Sequence, residues 1–194
     1  TVEPSAEANA TVEVLQKATV KTIAVNTSAP NTSADVVIAE GVEVIDMTVE
    51  GSGDVTLDNS GTITDTTVGD SSSLKYVVRT AEMLNDLLSQ GDSIMLGANI
   101  TADAVVPEGV TVTLDLNSYK LTNVSDHTIV NNGVLEIKDS LGGGVVDNIT
   151  HAKAAIYNAQ SAQTVLNGGT FIRSAEKGSS TEDDGGNSYY TIIN

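Results

Sequence analysis

"TIVNNGVLEI" (128–137) decides the fold of this chain. Its first four residues return as "AIYN" (155–158) and again as "TIIN" (191–194). Asn131, Asn158 and Asn194 fall in register, with spacings of 27 and then 36 residues. Apolar and polar residues alternate within each copy, the period of a short strand. A second strand follows each of the first two copies, "VLEI" (134–137) and "TVLN" (164–167), and a glycine pair leads into a third, "GGVV" (143–146) and "GGTFI" (168–172). Three short strands per repeat of about 25 residues predict a coil of triangular section, each turn stacked on the last at about 4.8 Å. Inward residues then form columns of Val, Ile and Leu. Asparagines at equivalent corners can bond along the stack as an amide ladder.

Upstream, "TAEMLNDLLSQG" (80–91) reads as a helix. Thr80 caps it, Glu82 suits its first turn, Gly91 ends it, and Met83, Leu84, Leu87 and Leu88 share one face. An open stack of strands needs a covered end, and this helix is placed to cap the coils that follow. Further upstream, "DVVIAEGVEVIDMTV" (35–49) and "DVTLDNSGTITDTTV" (54–68) align without a gap at an offset of 19. "VKTIAV" (20–25) matches "VIDMTV" (44–49) at an offset of 24. The expected fold class is therefore all-β, a parallel β-helix (β-solenoid) with one short capping α-helix, preceded by a smaller β-solenoid-like N-terminal region. The expected organisation is an N-terminal extension over 1–18, a small solenoid region over 19–70, a linker over 71–79, and the helix with its coils over 80–194.

The composition agrees. Of 194 residues 40% are apolar, enough for a sizeable core, yet only 3% are aromatic and none is Trp, so Val, Ile, Leu and Ala must fill it. The net charge of −17 sets nucleic acid and anionic membranes aside as partners. The absence of cysteine excludes disulfides, thiolate metal sites and cysteine catalysis. No apolar run approaches the length of a membrane span, so no membrane insertion is expected. "TVEPSAEANAT" (1–11) is compatible with the start of a mature exported chain or a linker.

The stretch "TAEMLNDLLSQGDSIMLGANIT…VPEGVTVTLDLNSYKLTN", with "TIVNNGVLEIKDS" and "IYNAQSAQTVLNGGTF", resembles the pectin-lyase-like right-handed parallel β-helix of secreted and cell-surface bacterial proteins. The resemblance covers residues 77–194, and Ser118 stands where that pattern has glycine. It implies the fold and an extracellular or cell-surface location, but not an activity, because the fold carries polysaccharide lyases, glycosidases, adhesins and phage tailspikes. The 19-residue repeat resembles solenoid spacers of such surface proteins.

Lyases resembling this pattern hold calcium with clustered carboxylates beside an Arg or Lys base. Arg173 would lie near Lys138, Asp139 and Asp147 of the preceding coil; Arg79, before the helix, reads as a surface ion-pair residue. A hydrolase needs paired acids; Asp115 has no partner that the repeat brings beside it and reads as a turn residue. His127 and His151, 24 residues apart, lie about one coil apart without an evident third ligand. The loop "KGSSTEDDGGNS" (177–188) offers calcium Glu182, Asp183, Asp184 and Asn187 on a glycine-rich frame, although without EF-hand spacing. Tyr189 or Tyr190 could stack on a sugar. No Ser-His-Asp pattern, phosphate loop or dinucleotide fingerprint is present.

The expectation is a non-catalytic structural or adhesion module of a bacterial secreted or cell-surface protein, contacting a polysaccharide or host glycan through Tyr189, Tyr190 and Arg173, with calcium as the one possible cofactor. The alternatives are a polysaccharide lyase or glycoside hydrolase whose active face extends past residue 194, and a phage tail fibre or spike segment. "TIIN" reads as the opening strand of a coil that continues beyond residue 194.

Overall fold

The computed structural model describes residues 1–3, 8–29, 31–70, 72–174 and 190–194. The chain divides into two compact units, Thr1–Val77 and Val78–Asn194. Strands dominate both, every strand pairing among the described residues is parallel, and one helix lies among them. That helix is too short to cross a membrane.

The first unit is built from β1 (Asn9–Val14), β2 (Thr19–Thr27), β3 (Ser33–Ile38), β4 (Glu43–Gly51), β5 (Asp54–Asn59), β6 (Thr62–Val68) and β7 (Ser73–Val78). Odd strands pair in the order β1-β3-β5-β7 and even strands in the order β2-β4-β6, so each round of chain gives one strand to each sheet. The core is aliphatic: Ile23, Val25, Val36, Val44, Met47, Val49, Val55 and Leu57 are buried against one another. Alternation changes phase once in each even strand. Lys21 and Thr22 in β2, Ile45 and Asp46 in β4, and Thr64 and Asp65 in β6 are consecutive residues outside the core.

Three expectations are corrected here. Residues 9–14, read as an extension, form β1 and pair with β3. Residues 73–78, read as linker, form β7, because Leu74 and Val78 alternate inward behind the polar turn that suggested a boundary. The gapless 19-residue alignment holds only for β4 and β6, where Val44 pairs with Ile63 and Val49 with Val68. In β3 and β5 the offset is 21, with Asp35 opposite Thr56 and Val36 opposite Leu57. The turn after β3 occupies 39–42, and the turn after β5 only 60–61. A two-residue slip keeps the same side chains facing in, so the hydrophobic pattern alone does not detect it. The 24-residue match holds, with Val20 opposite Val44 and Val25 opposite Val49.

The second unit opens with α1 (Ala81–Gln90). The Thr80 side chain accepts the Met83 N–H at 3.2 Å, and Gly91, in the left-handed conformation, donates to the Leu87 carbonyl. Leu84, Leu87 and Leu88 are buried, and α1 packs on β10 and β8. The strands are β8 (Ser93–Leu96), β9 (Ile100–Thr101), β10 (Ala104–Val106), β11 (Thr111–Asp115), β12 (Lys120–Thr122), β13 (Ile129–Asn131), β14 (Val134–Lys138), β15 (Val145–Asp147), β16 (Ile156–Asn158), β17 (Gln163–Leu166), β18 (Thr170–Ile172) and β19 (Ile192–Ile193). Within the unit every third strand returns to the same sheet: β8-β11-β14-β17, β9-β12-β15-β18 and β10-β13-β16-β19. The three ladders stay separate and none closes on itself. Inward columns run Ile94–Leu114–Ile137, Ile100–Leu121–Val146 and Ala104–Ile129–Ile156, every member buried. The repeated phrase is in register as expected: Ile129 opposite Ile156 and Ile156 opposite Ile192. The glycine pairs align through Val145 opposite Thr170.

Candidate functional site

The polar residues of the second unit are placed by the turns between its strands. Asp115 accepts the Asn117 N–H at 3.0 Å and, from the next round, the Ser140 N–H at 3.0 Å. That is the turn role expected of it. Asp139 accepts Ser118 N–H at 2.9 Å and Gly144 N–H at 2.7 Å. Ser118 has φ +66°, which explains why glycine suits that position. Asp103 accepts the backbone amides of Val124 (2.9 Å), Ser125 (3.2 Å) and Asp126 (3.4 Å) and the Ser125 hydroxyl (2.9 Å). Desolvation pushes the Asp103 carboxyl up, but these four donors outweigh it and hold the group below the usual carboxylate range.

The asparagines form the expected ladder, with Asn131 and Asn158 buried. Asn131 Nδ2 donates to Asn158 Oδ1 at 3.1 Å, and Asn158 Nδ2 to Asn194 Oδ1 at 3.4 Å. Asn131 Nδ2 also reaches the Gln163 carbonyl (2.8 Å) and the Thr164 hydroxyl (2.9 Å), while its Oδ1 accepts the Gly133 N–H at 3.0 Å. The Thr164 hydroxyl in turn donates to Asn158 Oδ1 at 2.6 Å. Position 133 admits only glycine, because a Cβ there would lie 2.3 Å from the Val110 carbonyl oxygen and 2.5 Å from that of Pro107.

On the flank between β12 and β13 a second constellation gathers. Lys153 Nζ lies 2.6 Å from Asp126 Oδ1 and holds that carboxyl below its usual range. His127 Nδ1 accepts the Ala154 N–H at 2.8 Å, and its ring stacks on Tyr157 with centroids 5.0 Å apart and planes 23° from parallel. Burial, then the Lys153 charge, hold the His127 imidazole below its ordinary pKa, against the opposing pull of Asp126. The bond from Ala154 needs the Nδ1 lone pair, so it too requires the neutral ring.

The two histidines expected near each other are not in register. The offset between β13 and β16 is 27, not 24, so His127 meets Ala154 and Tyr157 rather than sitting opposite His151. Arg173 donates to the Ser174 carbonyl at 3.4 Å, and Asp147 of the preceding round pairs with Lys120 at 3.3 Å. Asp139 is bonded to backbone amides and Lys138 pairs with Glu136 at 3.4 Å. Tyr190 is 56% exposed. Tyr189 and the calcium candidates Glu182, Asp183, Asp184 and Asn187 lie outside the described residues. Among the described residues no group of three or more His, Asp or Glu could hold a metal ion. The His127–Tyr157 contact was missed because it is diagonal, three residues out of register; the 27-residue spacing of the asparagines was the signal that could have found it. Compared with protein-family models, curated proteins and solved structures, the chain matches none of them.

Proposed function

We propose that this chain is a non-catalytic structural or adhesion module of a bacterial secreted or cell-surface protein. In this reading its second unit is part of a right-handed parallel β-helix capped by α1, its first unit is a smaller solenoid, and its side contacts polysaccharide. One observation carries the proposal. Among the described residues, three acids and two amides of the second unit are occupied in holding one round of chain to the next rather than free to converge on a substrate: Asp103, Asp115 and Asp139 on backbone amides, and Asn131 and Asn158 on each other. Carboxylates that accept backbone amides across successive rounds act as fixed links between them, which suits a stiff spacer. The handedness, the location and the polysaccharide rest on the resemblance of residues 77–194. The test is incubation of the purified chain with a panel of polysaccharides, reading binding and product release separately. Binding without release is expected. Turnover that Arg173→Ala abolishes would replace the module with an enzyme.

A further inference from the structure

The outward face of the β10-β13-β16-β19 sheet differs from the other two of its unit. Its central column is Val105, Val130, Tyr157 and Ile193, one side chain per round. The corresponding columns elsewhere, Thr113–Glu136–Val165 and Thr101–Thr122–Asp147–Ile172, carry charge. Val105 is 44% exposed although its neighbours in sequence, Ala104 and Val106, are buried. Beside the column stand His127, 13% exposed and stacked on Tyr157, and the Lys153–Asp126 pair, whose side chains are 37% and 47% exposed.

We propose that this column is a platform for an uncharged polysaccharide, laid along the stack with a sugar ring against the part of the Tyr157 ring that His127 leaves uncovered. The proposal rests on the polysaccharide contact put forward above. The column is about 15 Å long at the inter-strand spacing and one side chain wide. That is far short of the roughly 800 Å² per partner of a stable protein interface, but it matches a narrow polymer. A pyranose ring has a face of C–H bonds, weakly positive, which suits the negative face of an aromatic ring. Its hydroxyls need donors and acceptors at the margin; Lys153 and Asp126 supply both and neutralise each other. The net charge of −17 repels uronate polymers, which leaves neutral glycans.

The test is binding of the intact chain to neutral polymers (mixed-linkage glucan, mannan, xyloglucan) and acidic ones (polygalacturonate, alginate) by affinity electrophoresis and calorimetry. Neutral polymers should bind. Tyr157→Ala should weaken them about tenfold or more, and Tyr157→Phe, which keeps the ring, by less than about threefold. Circular dichroism confirms that each variant folds; where Tyr157→Ala does not, Val105→Glu at the exposed end of the column should produce the same loss. Unchanged affinity in a folded Tyr157→Ala or Val105→Glu chain overturns the platform and leaves the polysaccharide contact standing. Binding of acidic polymers alone overturns the ligand class. Binding of none overturns both this inference and the contact on which it rests.

Discussion

Asn131→Ala is the sharpest test of how the second unit is held together. The side chain is fully buried. Its loss strands the Gly133 N–H, which donates to Asn131 Oδ1 at 3.0 Å inside the stack, at a cost of about 1–3 kcal/mol. The two amide protons serve Asn158, Gln163 and Thr164, and their loss adds about 0.5–1.5 kcal/mol each. Asn158 Oδ1 keeps the Thr164 hydroxyl and needs no further term. The expected destabilisation is about 4 kcal/mol, which at about 2 kcal/mol/M moves the urea midpoint of the second unit down by about 2 M. Hydrogen exchange should show the Gly133 amide losing protection. Asn131→Val separates packing from bonding. Valine fits this column, since Val106 occupies the same place one round earlier, yet it leaves Gly133 equally stranded. If bonding governs, both variants fall alike. If Asn131→Val recovers most of the loss, or if Asn131→Ala shifts the midpoint by less than about 0.5 M with Gly133 still protected, the amide ladder does not carry the weight assigned to it.

Four further outcomes are expected. Ser118→Gly relieves a positive φ at an exposed turn without removing the backbone bond to Asp139, and should raise stability by about 0.5–1 kcal/mol in denaturant unfolding. Thr80→Ala removes the acceptor of the Met83 N–H and should lower stability by about 1 kcal/mol, with faster exchange confined to the first turn of α1. The His127 pKa is depressed in the folded chain, so the unfolded chain binds the proton first. The contribution of His127 to stability is therefore full above about pH 6.5 and declines as the pH falls through its folded value. Melting scans should show the wild type losing more stability than His127→Phe between about pH 7.5 and about pH 5, and parallel curves would remove His127 from the account. Millimolar calcium should raise the melting temperature of the wild type and not of Asp183→Ala/Asp184→Ala; the absence of a shift would retire the calcium expectation.

The elements that sequence made legible are those in which two independent signals coincide. In α1 an apolar stripe lies between Thr80 and Gly91, and both caps form. In β13, β16 and β19 the alternation of apolar residues is anchored by an asparagine, and the register follows. Where only alternation was available, as between β3 and β5, the register came out two residues off, because period 2 fixes the face but not the position along it. The turn residues around β1 and β7 looked like an extension and a linker because composition marks turns without saying whether a strand resumes beyond them. The flank at His127, Lys153 and Tyr157 had no local signal. It is assembled from two rounds by the same 27-residue spacing that aligns the asparagines.

That difference between the two units has an energetic meaning. A slip of two residues between β13 and β16 would put Asn131 opposite Ile156 and leave every inward face inward, so the aliphatic columns oppose it weakly. Two other contacts oppose it strongly. On the inner side Asn131 would lose Asn158, and on the flank the Ala154 N–H would leave His127 Nδ1. The first loss forfeits about 0.5–1.5 kcal/mol, and the second strands the Ala154 N–H at about 1–3 kcal/mol. Polar groups in this stack thus set its register as well as adding to its stability, in the way a single buried asparagine fixes the alignment of a coiled coil. The position of Tyr157 beside His127 depends on that register. A platform one ring wide needs its rounds aligned to the residue, and the amides that provide the alignment are the ones first recognised in the sequence as a repeated phrase.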